Sequence, residues 1–141
     1  MQIHASCASR DGAGVLLLGP PGSGKSDLVL RLLDRGFLLV ADDRVEIEDG
    51  VARAPFPLAG LLEVRGLGIL RLPYAASARV ALAVTVQTIA PERLPAPARD
   101  ERFDVPALAV LGVAASAPAV IARALDCALG HAGQLAGAFP A

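Results

Sequence analysis

Residues 19–26 read Gly-Pro-Pro-Gly-Ser-Gly-Lys-Ser and fit the pattern G-x-x-x-x-G-K-[ST]. Its chemistry explains its spacing. Glycines let successive backbone N–H groups turn inward and form an anion cradle, and a helix starting at the end of the loop adds unpaired N–H groups and the positive end of its dipole. A lysine at the seventh position reaches β- and γ-phosphates, and the hydroxyl at the eighth serves Mg²⁺. Gly19, Pro20, Pro21, Gly22, Ser23, Gly24, Lys25 and Ser26 are therefore the expected phosphate-binding residues, with Ser26 also facing metal. The flanks agree. Gly14–Leu18 (GVLLL) reads as a short buried strand, and Leu28, Val29, Leu32 and Leu33 recur at helical spacing between Ser26 and Arg35. Gly36 then ends the helix. A chance glycine turn would lack this strand–loop–helix setting.

The composition narrows the alternatives. The 141 residues carry 13 basic and 14 acidic side chains and are 54% hydrophobic. A chain of this size fits one compact domain, here residues 1–141 with no N-terminal regulatory domain expected. Disorder is excluded by the high apolar content, and charge-driven binding of long nucleic acids by the lack of a basic excess. No apolar run approaches the roughly 18 residues of a membrane span, and no signal peptide is visible, so a cytoplasmic location is expected. Lys25 is the only lysine; the other 12 basic residues are arginine. A compact ammonium therefore stands at the one position where the motif requires it, against a background of planar guanidinium groups. Cys7 and Cys127 form no disulfide framework and read as buried free thiols.

Outward from the loop, Ile3–Ser9 reads as a first strand and Asp11-Gly12 as a turn. Phe37–Ala41 is a second buried strand, expected close to the first, and it runs into Asp42-Asp43. Carboxylates emerging there lie close to bound phosphates. One can hold Mg²⁺ and the other accept a proton from an incoming hydroxyl, while a solvated Asx turn is the alternative. Arg44–Glu48 and Val51–Ala54 form a hairpin about Asp49-Gly50. Leu58–Glu63 reads as a short helical turn, Ile69–Leu72 and Arg79–Val86 as strands, and Ala90–Arg102 as a surface loop. Phe103–Leu111 reads as a strand in which Pro106 implies an edge or bulge. Ser116 is the expected cap of a last helix with Pro118 in its first turn, and Gly130 onward is a tail of low information. His4 is open on composition, Glu63 and Arg65 fit either a second site loop or an exposed ion pair, and His131 is expected to be exposed.

His4, the loop of residues 19–26, Leu39-Val40-Ala41-Asp42-Asp43-Arg44-Val45 and Leu62-Glu63-Val64-Arg65-Gly66-Leu67-Gly68-Ile69 come in an order and at intervals that resemble the catalytic domain of HPr kinase/phosphorylase. The likeness runs from about Ile3 to Leu72, half the chain. It implies an α/β fold: a P-loop-containing mixed β-sheet with flanking helices, like the C-terminal domain of HPr kinase and PEP-carboxykinase-like. It implies a kinase using ATP and Mg²⁺ to phosphorylate a serine of the phosphocarrier protein HPr. Asp42 would be the base, His4 its support, Lys25 and Arg65 phosphate-facing catalytic groups, and Ser26, Asp43 and Glu63 the metal side. The family's loop after its Val-Pro strand bears an arginine, whereas Gly112–Pro118 has none, so the forward direction is expected and the phosphorylase direction is not. A nucleotide-sensing module with little turnover and a small-molecule kinase are the rival readings. Self-association is left open by the Ala/Leu-rich composition.

Overall fold

The computed structural model describes residues 1–140. The chain order is β1 (Gln2–His4), β2 (Ser6–Arg10), β3 (Ala13–Leu18), α1 (Lys25–Leu33), β4 (Leu38–Ala41), β5 (Arg44–Glu48) and β6 (Val51–Arg53). A 3₁₀ turn at Phe56–Leu58 precedes β7 (Leu61–Val64) and β8 (Gly68–Arg71). Then come β9 (Ala78–Gln87), β10 (Ala98–Asp100), β11 (Val105–Leu111) and α2 (Ala117–Ala128). The fold is the expected mixed α/β architecture. Among the described residues, no helix is long and apolar enough to cross a membrane.

The sheet runs β1-β5-β6-β9-β3-β2-β4, and β11 also pairs with β9. One side of β9 pairs with β3. The other is shared by β6 near Ala78 and β11 from Ala83 onward. β3, β9 and β11 are parallel, and β4, antiparallel to the intervening β2, points the same way. Across the sheet the order β4-β2-β3-β9-β11 therefore brings the ends of four strands to one edge, with the loop of residues 19–26 rising from the middle. The strand after α1 pairs with β2 and not with β3, because the tight hairpin Asp11-Gly12 folds β2 back between them.

Alternation along the strands fills two cores. One lies under the helices and contains Val15, Leu17, Leu28, Val29, Leu32, Val84, Ile121 and Leu125. The other is lined by small residues such as Ala5, Cys7, Ala41, Ala52, Ala78 and Ala83. It sits where the sheet curls: β1–β2 and β4–β5 form one bent antiparallel ribbon, and β5 leads through β6 back to β9. Small side chains let the sheets of this curl approach closely. Cys7 lies there without exposure, and loss of water around its thiol pushes its pKa up to about 12. Cys127, expected to be buried, is only partly so.

Several elements depart from the sequence reading for visible reasons. The first strand breaks at Ala5, whose N–H donates to the Asp43 carbonyl at 3.2 Å, because the ribbon bends where Asp43 takes a left-handed φ of 70°. Leu58–Glu63 gives its last residues to β7, which pairs with β8 through the three-residue loop Arg65-Gly66-Leu67. β10 emerges from the Pro-containing loop as an edge strand on β11. Pro106 costs no bond to β9, since that ladder starts at Ala107. Ser116 makes no side-chain cap: it is already helical, and Pro118 removes one of the donors it would serve. The tail packs too, with Phe139 in the helix-side core and its N–H donating to Gln134 Oε1 at 2.8 Å. The Asp49-Gly50 hairpin forms as read, both residues having positive φ.

Candidate active site

The loop joins β3 to α1 through three glycines of positive φ, at residues 19, 22 and 24. Gly19 is the constrained one. A Cβ there would stand 2.7 Å from the Val86 carbonyl and 2.8 Å from Ser23 Oγ. Gly24, at φ 98°, is the N-cap of α1 and accepts from Leu28 N–H at 3.0 Å. Lys25 Nζ lies across the loop, donating to the carbonyls of Gly19 at 2.8 Å and Pro20 at 3.0 Å. Ser23 Oγ is buried under the loop with no partner.

The two neighbouring aspartates differ completely in environment. Asp42 is 9% exposed. Its Oδ1 accepts from Ser26 Oγ at 2.7 Å and from Ser6 Oγ at 2.9 Å, and Glu63 N–H approaches its Oδ2 at 3.4 Å. Asp43 has a side chain 68% exposed, and its Oδ1 lies 3.7 Å from His4 Nδ1. The left-handed turn at Asp43 separates them: it turns one carboxylate in toward the helix start and the other out to solvent. Positive φ in a non-glycine residue is tolerated best by Asp and Asn and is concentrated at functional positions. The Asp43 N–H donates to Ser6 Oγ at 3.2 Å, so one serine hydroxyl ties both members of the pair.

A cleft of about 510 Å³ joins these groups, with Lys25, Ser26, Asp43, Glu63 and Arg65 among its walls. β7 carries Glu63, and the loop to β8 carries Arg65; both side chains are exposed. The residues picked from the sequence are thus assembled in one place, His4 meeting the cleft through Asp43. His131 is exposed and far along the chain. Ser6 was missed. A serine at the start of an apolar strand carries no chemical signal until its hydroxyl is seen against Asp42. The Asp42 carboxylate and the Ser26 hydroxyl are hard oxygen donors side by side, the kind of pair that holds Mg²⁺ with substrate phosphates completing its shell. Among the described residues no cluster of three or more His, Cys, Asp or Glu that could hold a metal ion is present.

The model of the HPr Serine kinase C-terminal domain matches residues 1–86. The chain belongs to this family. The HPr kinase/phosphorylase of Clostridium novyi is 45% identical over 76 residues, which are 51% of this chain and 25% of that protein. The HPr kinase/phosphorylase of Bacillus pumilus is 49% identical over 75 residues, 50% of this chain and 24% of that protein. The chain thus spans about a quarter of the length of these relatives. The solved structure of the Hpr(Ser) kinase/phosphatase from Coxiella burnetii superposes with a TM-score of 0.68 at 25% identity, covering 87% of each chain. The family's fold therefore continues beyond Val86, where the sequence match stops.

Proposed function

We propose that the cleft transfers the γ-phosphoryl group of ATP, with Mg²⁺, to a serine of an HPr-like phosphocarrier protein. One observation carries the reading: the phosphate-loop hydroxyl of Ser26 and the carboxylate of Asp42 are in contact at 2.7 Å, with a second, exposed carboxylate one residue away. Backbone N–H groups of the loop and Lys25 bind the phosphates. Ser26 and Asp42 would hold Mg²⁺, which would neutralise charge developing on the phosphate oxygens. Asp43 takes the proton of the attacking serine hydroxyl as its oxygen bonds to the γ-phosphorus and the bond to the ADP oxygen breaks. His4 beside Asp43 orients that carboxylate, and Arg65 with Glu63 bounds the acceptor side.

These roles exchange the two aspartates relative to the sequence reading. A base has to reach an incoming hydroxyl, and Asp43 faces solvent at the cleft mouth. Asp42 is buried, and its Oδ1 is already shared by two serine hydroxyls on the loop side. The forward direction is favoured, because the turn after β11 brings Val113 and no arginine to the cleft. The test is incubation with labelled ATP, Mg²⁺ and purified HPr, followed by phosphoserine detection. Transfer abolished by Asp43→Asn is expected. Absence of transfer by wild type, under conditions where ATP binds, overturns the reading.

A further inference from the structure

The break between β1 and β2 at Ala5 faces Asp43. Three consecutive residues there hold three different groups of that aspartate. His4 Nδ1 stands 3.7 Å from the carboxylate Oδ1. Ala5 N–H donates to the Asp43 carbonyl at 3.2 Å. Ser6 Oγ accepts from the Asp43 N–H at 3.2 Å. The contact with His4 is between two solvent-facing side chains and is loose. Ser6 is different: it lies at the floor of the cleft with no exposure.

The Ser6 hydroxyl has one proton, and each of its neighbours has a fixed sense. The Asp43 N–H can only donate, and the ionised Asp42 carboxylate can only accept. The hydroxyl proton therefore goes to Asp42 Oδ1, at 2.9 Å, and a lone pair faces the Asp43 N–H. Alternation along β2 sends Cys7 into the small-residue core and Ser6 to the opposite side, where Asp42 also meets Ser26 at the start of α1. Asp43 has φ 70°, a conformation that a non-glycine residue keeps only where its surroundings over-determine it. The bonds to Ala5 and Ser6, one on each side of the Asp43 Cα, are those surroundings. An apolar residue at position 6 would suit the strand equally well and leave the Asp43 N–H without its partner.

We infer that Ser6 is a positioning residue for the phosphoryl transfer: its hydroxyl holds the backbone of Asp43 in the left-handed turn that sets this carboxylate at the cleft mouth, and fixes Asp42 at the same time. The inference rests on the phosphoryl-transfer reading above. Ser6 acts through the two aspartates and not on substrate. A base has to stay within hydrogen-bond reach of the attacking hydroxyl, and a displacement of about 1 Å can cost about 10²-fold in rate. The same oxygen ties the buried carboxylate through its proton and the exposed residue through its lone pair. Neither aspartate can turn without disturbing the other, so their separate roles are kept by one side chain.

Steady-state phosphorylation of purified HPr by the full chain, together with amide hydrogen exchange of the nucleotide-free protein followed by NMR, tests this. Ser6→Ala should lower kcat by about tenfold or more and leave KM for ATP and for HPr within about twofold. The Asp43 amide should exchange about tenfold faster or more in that variant while the amides of β3 and β9 keep their protection, whereas a merely structural Ser6 would loosen all of them alike. Ser6→Thr keeps the hydroxyl on a β-branched side chain suited to a strand, and should restore both the rate and the protection of Asp43. An unchanged kcat in Ser6→Ala overturns the assignment. So does an unchanged Asp43 exchange rate, a loss of protection spread over the whole sheet, or a threonine variant that regains Asp43 protection without the rate. In each of those cases, transfer by wild type leaves the phosphoryl-transfer reading standing. Absence of transfer by wild type removes that reading and the role of Ser6 with it.

Discussion

Up to Val86 the chain matches its family model, and the residues lining the cleft lie in that part, Val113 excepted. From Gln87 onward come β10, β11, α2 and the tail, whose Val110, Ile121, Leu125 and Phe139 cover the helix-side core. The two parts answer to different physics. The first is set by close polar contacts: a Cβ at Gly19 would strike the Val86 carbonyl, Lys25 lies across the loop on the Gly19 and Pro20 carbonyls, and the Asp42 carboxylate sits against the Ser26 hydroxyl. A covering helix needs apolar volume, and several side chains of the right size serve equally well. The family model's match stops at Val86, although the Coxiella structure superposes over 87% of the chain.

That division can be broken by experiment. The largest effect belongs to Asp43→Asn: removing a general base should cut serine phosphorylation by about 10²-fold or more while the thermal midpoint stays unchanged, the side chain being exposed. Ile121→Ala should do the reverse. It leaves a cavity under α2 and destabilises folding by about 2–5 kcal/mol in denaturant titration, with ATP affinity of the folded protein retained. A loss of affinity in that variant would show that the cover also shapes the cleft.

The link between the two parts is sharper still. Arg10 on β2 bonds Asp126 on α2 at 2.5 Å, both side chains about a quarter exposed, and its guanidinium lies 5.6 Å from the centre of the Phe37 ring. A double-mutant cycle with Arg10→Met and Asp126→Asn should return a coupling of about 1 kcal/mol or less, reduced by salt. The smallest effect at neutral pH is at Cys7. Its thiol ionises near 9.0 when unfolded and only at about 12 when folded, so the folded state keeps the proton longer. Its contribution is unchanged below pH 9 and is lost as pH rises from 9 toward 12, by about 1.4 kcal/mol per unit. Native labelling with iodoacetamide at neutral pH should reach Cys127 and spare Cys7.

Much of this was legible in the chain. Strand β3, the loop, α1 and the hairpins at Asp11-Gly12 and Asp49-Gly50 are local: hydrophobic period and turn residues specify them without reference to the rest. Of the candidate residues, the loop of residues 19–26 and the Asp42-Asp43 pair were legible from their own chemistry, whereas His4, Glu63 and Arg65 were singled out only by the family resemblance. Ser6 was not legible, because a strand serine acquires meaning only from Asp42 and the Asp43 N–H. The break at Ala5 and the strand β7 were also invisible, being set by pairing partners distant in the chain.

The residues alone therefore determined where the loop lies, that a helix starts at its end and which carboxylates follow the next strand, because turn chemistry and helix initiation depend on neighbours a few positions apart. Only the tertiary structure decided which aspartate turns inward. Asp42 and Asp43 are chemically identical and adjacent, and nothing local distinguishes them. The bend of the β1–β2 and β4–β5 ribbon, with Asp43 at positive φ, buries one against Ser6 and Ser26 and leaves the other beside His4 at the surface.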